Sequence, residues 1–161
     1  MRLRVYFYCL EYAEAYQDDV VIIAAGLKEL GAEVYGNCNY WRNSPDADDW
    51  LVKHDPRITP AECDIVVVSS AWSRWLNANF VTTSRPLPAG LFATGRRYRT
   101  AYFDIDDGYV TSSWRPEYQS FDCVFRAQYN RRCYQPSGYR PWVLVLTPRV
   151  LRMTEGGPPW A

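Results

Sequence analysis

Residues 3–37, LRVYFYCLEYAEAYQDDVVIIAAGLKELGAEVYGN, change their hydrophobic rhythm twice. Residues 3–10 are an almost unbroken apolar run, short enough for a strand and continuous enough for one buried on both faces. From Asp18 or Asp19 the spacing becomes helical: Val20, Ile23, Ala24, Leu27 and Leu30 recur every three or four residues. Acids occupy the first turn of that helix and Gly31 stands where a terminating glycine is expected. AEVYGNCNYW (32–41) then returns to strand character. Strand, helix and strand in succession make a βαβ unit, whose parallel strands and right-handed crossover predict an α/β layer fold.

Further strands follow the same logic. Asp64–Ser70, DIVVVSS, reads as a short central strand with small hydroxyl residues at its carboxyl end. Arg99–Phe103 is another, running into Asp104-Ile-Asp106-Asp107-Gly108, and Phe121–Phe125 a fifth. Trp142–Leu146 reads as a sixth strand or as an extended segment between Pro141 and Pro148. Between these, residues 42–60 suggest a loop with a short helix, and AWSRWLNANFV (71–81) a weaker helix. Residues 1–152 are expected to form one domain, and 153–161, with Gly156-Gly-Pro-Pro159, a tail of linker chemistry. A chain of 161 residues has room for one such domain, not two catalytic ones.

Charge and hydropathy narrow the function. Eighteen basic residues balance 18 acidic ones, which argues against a general nucleic-acid binder. The halves differ, since residues 1–80 hold 7 basic and 12 acidic side chains and residues 81–161 hold 11 and 6. Such an asymmetry steers anions toward the second half, or it is an ordinary solvated surface. No stretch reaches about 18 consecutive apolar residues and no cleavage site follows the first strand, so no transmembrane segment and a cytoplasmic protein are expected.

In open parallel sheets ligands bind beyond the carboxyl ends of the strands, where strand order reverses. Those ends offer Glu11 and Tyr12, Asn39 to Trp41, Ser69 and Ser70, and Asp104 to Gly108. Asp104, Asp106 and Asp107 form the strongest chemical feature, because three acids within four residues need solvent, a cation or donors to compensate them. FDIDDG resembles the Asp-x-Asp motif of haloacid-dehalogenase phosphatases, which would imply a magnesium-dependent hydrolase. That family needs a downstream lysine, and no Lys follows Lys53; a receiver-type phosphoacceptor lacks its lysine for the same reason. A turn cornered on Asp107-Gly108 accounts for the acids equally well. No G-x-G-x-x-G follows the first strand, and Gly90–Arg97 has Walker A spacing without its Lys and hydroxyl. Arg96, Arg97 and Arg99 suit a phosphate or a solvated turn.

Cys9, Cys38, Cys63, Cys123 and Cys133 show no metal-site or redox spacing and read as structural thiols. No metal ligand set is assigned, and whether a divalent ion takes part is left open. His54, the lone histidine, reads as a surface residue. Seven Trp, 13 Tyr and six Phe are many for this length, and Tyr12, Tyr16, Tyr40, Trp41, Trp72, Trp75, Tyr109, Trp114 and Tyr118 fall in expected loops. Rings there suit sugar faces, a core, or an interface with a partner domain.

The opening βαβ with LKELGAEVYG, the central CDIVVVSS, the TAYFDIDDG strand end and the FDCVFRAQYNRR segment together resemble the N-terminal half of a GT-B glycosyltransferase of the spore-maturation type. The resemblance implies a single Rossmann-like three-layer α/β domain with a mostly parallel sheet of about five to six strands. It also implies an acceptor-side role in moving a sugar from a nucleotide-sugar donor, the co-substrate, to a hydroxyl acceptor, with no further cofactor required. The donor would be held mainly by a second Rossmann-like domain or partner chain. On this reading Asp106, Asp107 and Glu11 are candidate bases, and Ser69 and Ser70 position a carbohydrate or small-molecule acceptor. Asp104, Tyr12 and Trp72 add substrate contacts, and Arg126 and Arg131 approach the donor diphosphate. A non-catalytic Rossmann-like binding or interaction module is the competing expectation.

Overall fold

A computed structural model describes residues 2–10, 18–42, 48–76, 82–105, 116–127 and 138–142. Its first unit is β1 (Arg4–Tyr8), α1 (Asp18–Glu29) and β2 (Glu33–Gly36). β1 and β2 are parallel, in register from Arg4 opposite Glu33 to Phe7 opposite Gly36. Val20 and Ala24 are buried on the sheet side of α1, with Ile23 and Leu27 packed beside them. The helix ends as its glycine requires. Gly31 sits at φ 82, its N–H reaches Lys28 O at 2.9 Å, and Ala32 N–H reaches Leu27 O at 2.9 Å, a Schellman closure. Leu30, expected on the buried stripe, is 86% exposed, because that closure swings the chain away from the core.

The remaining elements are β3 (Tyr40–Arg42), β4 (Trp50–Val52), β5 (Ile65–Ser69), the single turn α2 (Ser70–Ser73), β6 (Arg74–Leu76), β7 (Thr82–Ser84), β8 (Arg99–Asp104), β9 (Cys123–Arg126) and β10 (Tyr139–Pro141). Six strands form one sheet in the order β2-β1-β5-β8-β9-β10, and every neighbouring pair is parallel. The expected α/β architecture with a parallel sheet is therefore present.

Three local expectations are corrected. The segment 32–41 divides into β2 and β3, because Asn37 turns the chain to bond back onto Cys9. Trp50–Val52 is a strand, paired antiparallel with β3, rather than a short helix; Leu51 and Val52 are buried on the sheet and suit extended backbone. The helix expected over 71–81 stops after one turn, and β6 and β7 form an antiparallel hairpin. Its apolar spacing was too short to sustain a helix, and Thr82-Thr83 favours a strand. Tyr139–Pro141 is a strand not expected from the sequence, and residues 143–146 of the Trp142–Leu146 run lie outside the described residues. Pro141 has no N–H to donate and is tolerated because β10 is the edge strand of the sheet among the described residues.

Side chains alternate between two cores. Val5 and Phe7 of β1, Cys9 just beyond it, Val67, Ala101 and Phe103 meet α1, Tyr40, Leu51 and Val52 on one face. Tyr6, Val66, Val68, Tyr102, Val124 and Tyr139 form the other. Among the described residues no long helix covers that second face. Trp72, Leu91, Tyr98, Tyr118 and Phe121 cover it from loops and single turns, with the Tyr102 ring 4.7 Å from Tyr118 and 5.3 Å from Phe121. Much of the aromatic content thus serves packing, each ring supplying apolar area where a helix face is lacking.

Gly36 is set by close approach. A Cβ there would lie 2.5 Å from Cγ1 of the buried Val52 and 3.0 Å from Phe7 O. Gly36→Ala is expected to destabilise the protein by about 1–3 kcal/mol through overpacking. Chemical denaturation checks this, and an unchanged midpoint would show that β4 yields freely.

Candidate functional site

Strand order reverses between β1 and β5, which sit side by side while their chain continuations lead to opposite edges of the sheet. The carboxyl ends around that point gather polar side chains in an otherwise apolar interior. Ser69, Ser70, Asp104 and Arg126 are all buried there, the last two with no exposed surface. Asp104 and Arg126 are direct cross-strand partners, with Arg126 Nε 3.9 Å from Asp104 Oδ2. Ile105 N–H donates to Ser70 Oγ at 3.4 Å, tying the exit of β8 to the start of α2.

Sequence alternation places these groups. Asp104 follows Tyr102 and Arg126 follows Val124 by two residues, so both continue the aromatic-covered face past its apolar layer. Ser69 follows Val67 and belongs to the α1 face, while Ser70 opens α2. A guanidinium and a carboxylate removed from water are costly unless they neutralise each other, so this ion pair fixes the relative height of two strand ends.

Of the expected site residues, the structure thus brings Ser69, Ser70, Asp104 and Arg126 to one end of the sheet. Arg126, expected to approach a donor diphosphate, instead points into the domain against Asp104, because burial demands a counter-charge. Trp72 is buried too: its Nε1 donates to Pro86 O at 3.1 Å, the Arg85 guanidinium lies 3.9 Å over its ring, and Tyr8 meets it edge-on at 5.4 Å. Those neighbours occupy the ring surfaces that a sugar would use. Glu11, Tyr12, Asp106, Asp107 and Arg131 lie outside the described residues.

Two groups at this end were not singled out from the sequence. Asp19, in the first turn of α1, is 2% exposed; the acids at the helix start were visible, but nothing distinguished the buried one. Asn37 accepts from Cys9 N–H at 2.6 Å and donates to Cys9 O at 2.9 Å, clamping the ends of β1 and β2 together. Burial pushes the Cys9 thiol well above its ordinary value and Cys63 up to about 11, so neither is a ready thiolate nucleophile at neutral pH. His54 is exposed, with Nδ1 3.0 Å from Gly36 O.

The opposite, amino end of the sheet is organised by ion pairs. Asp122 accepts from Thr100 N–H (2.8 Å), Thr100 Oγ1 (2.9 Å), Arg96 (2.9 Å) and Arg99 (3.0 Å). Two of the three clustered arginines are thus committed to a carboxylate. A cleft of about 410 Å³ nearby is lined by Arg2, Arg4, Glu33, Glu62 and Asp64. Arg4 bonds Glu33 through its side chain (2.9 Å) and Asp64 through its backbone N–H (2.8 Å). These contacts hold strand starts in place, on the side away from the switch point.

Among the described residues no group of three His, Cys, Asp or Glu side chains gathers as a metal-ligand set, and no helix is long and apolar enough to cross a membrane. A scan against family models, a search of curated proteins and a search of solved structures each returned no match.

Proposed function

We propose that this domain binds a polyhydroxylated small molecule at the carboxyl end of its sheet and acts as the acceptor-side half of a glycosyltransferase. The observation that carries the reading is the placement of buried Ser69, Ser70 and Asp104 at the carboxyl ends of β5 and β8, on the flank of the strand-order reversal, with Arg126 paired to Asp104 one strand further out. Serine hydroxyls donate to and accept from sugar hydroxyls. Asp106 and Asp107 follow directly on Asp104 in sequence, and Glu11 follows β1. They are the candidate bases that would take the acceptor's hydroxyl proton as its oxygen attacks the sugar carbon and the nucleoside diphosphate leaves. Arg131 and a second Rossmann-like domain or partner chain would face that diphosphate.

Saturation-transfer NMR with neutral mono- and disaccharides and, separately, with a nucleotide sugar tests this. Saccharide signals are expected, weakened about 5-fold or more in Ser70→Ala, an effect on the scale of one hydrogen bond. Absence of saccharide binding in a folded protein sinks the reading.

A second reading, a non-catalytic binding module, is favoured by one observation: Asp104 and Arg126 pair with each other inside the fold, and Trp72 is separately packed under Arg85 and bonded to Pro86 O. It predicts that neither saccharide nor nucleotide sugar gives a signal.

A further inference from the structure

The cysteines carry no redox spacing in sequence, since Cys9 and Cys38 are separated by the whole of α1. The topology removes that separation. β1 and β2 are adjacent and parallel, with Phe7 opposite Gly36, and Asn37 N–H continues the ladder by donating to Phe7 O at 3.2 Å. Two residues further along each chain stand Cys9 and Cys38. Both belong to the same face of the sheet: Cys9 is in the α1-side core and Cys38 packs against it. The Asn37 side chain grips Cys9 N–H and O at once, and the Cys38 Sγ reaches Cys9 O at 3.7 Å and Leu10 O at 3.8 Å. These contacts put the Cys38 sulfur against the Cys9 backbone, and a disulfide needs Cα atoms about 4.4–6.8 Å apart.

We propose that Cys9 and Cys38 are a redox modification site, closing to a reversible disulfide in the presence of a low-molecular-weight disulfide oxidant. The accessible partner reacts first. Cys38 is half-buried whereas Cys9 is 1% exposed, so the Cys38 thiolate attacks one sulfur of the oxidant, forming a mixed disulfide and releasing one thiolate. Cys9 then loses its proton to solvent, attacks the Cys38 sulfur and expels the second thiolate. The two cysteines give up two protons and two electrons, and the oxidant leaves as two reduced thiols. Burial disfavours the Cys9 thiolate, which makes the second step the slow one and accelerates closure as pH rises. The bond ties the strand end that leads into Glu11 and Tyr12 to the edge of the sheet, and it requires nothing of the glycosyltransferase reading.

The test uses the full chain, reduced, exposed to glutathione disulfide at pH 8, then unfolded and alkylated. The expected result is a loss of two alkylatable thiols, a dithiothreitol-sensitive peptide pair containing Cys9 and Cys38, and a thermal midpoint raised by about 5 °C or more. Cys9→Ala is expected to stop at a stable glutathione adduct on Cys38, and Cys38→Ala to leave Cys9 unmodified in the native protein. Persistence of the Cys38 adduct in the wild-type chain overturns the proposal, as does recovery of both thiols free or a cross-link through Cys63, Cys123 or Cys133.

Discussion

Arg126→Met is expected to lower stability by about 3–5 kcal/mol, the largest effect of any single substitution proposed for this protein. The side chain has no exposed surface, and neither has Asp104, its ion-pair partner across the β8–β9 ladder. Removing the guanidinium leaves a carboxylate without its counter-charge above the Tyr102 and Val124 layer, where water cannot solvate it at little cost. The companion experiment separates charge from packing. Asp104→Leu combined with Arg126→Met removes both charges and keeps the volume, so the pair of changes is expected to recover most of the loss. Urea denaturation of the two variants reads the difference. A single-variant loss below about 1 kcal/mol would mean that the strand ends are wet and the pair is ordinary surface electrostatics.

Asp122→Ala is expected to cost about 2–3 kcal/mol, because it strands the Thr100 N–H and hydroxyl and releases Arg96. Arg99 adds little, since its side chain is 79% exposed. Burial of the Asp122 carboxyl pushes its pKa up, but the Thr100 N–H, Arg96, the Thr100 hydroxyl and Arg99 outweigh that and hold it well below the usual carboxylate range. The sign of the pH dependence follows from this depression. Unfolded Asp122 titrates near its ordinary value of about 3.9, so its stabilisation is complete above that pH and is lost as pH falls toward the lower folded value. The gap between wild type and variant is therefore expected to be full at pH 7 and to narrow below about pH 4. A gap that stayed constant to pH 2 would remove Asp122 from the acid response.

The elements legible in the sequence were those whose pattern is local. The first βαβ unit, the DIVVVSS strand and the Arg99–Phe103 strand each announce themselves through period or apolar continuity, and α1 ends on Gly31 for a reason visible in the glycine itself. The β3–β4 and β6–β7 hairpins did not announce themselves, because three-residue strands are defined by what they pair with across the chain. The same limit governs the site. Ser69, Ser70 and Asp104 could be placed at strand ends from sequence, but the orientation of Arg126 depends on the β8–β9 register, and the burial of Trp72 depends on Arg85 and Pro86 folding over it. Cys9 and Cys38 became neighbours only through the parallel pairing of β1 and β2.

The covering of one sheet face by α1 and of the other by rings set in loops makes the domain mechanically lopsided. On the helical side, backbone amides are held by a repeating ladder of intrahelical bonds that must break together. On the aromatic side the covering segments are held by isolated turns, such as Leu91 N–H on Pro88 O and Phe121 N–H on Tyr118 O, and by side chains, with Tyr98 hydroxyl on Gly90 and Leu91 carbonyls and Trp72 Nε1 on Pro86. A segment fastened by single turns and side chains is expected to open piecemeal, so that solvent deuterium enters its amides through small local excursions while those of α1 wait for a larger one. Amide exchange is therefore expected to be faster on the tyrosine-rich side, which Asp104 and Arg126 also face at the ends of β8 and β9.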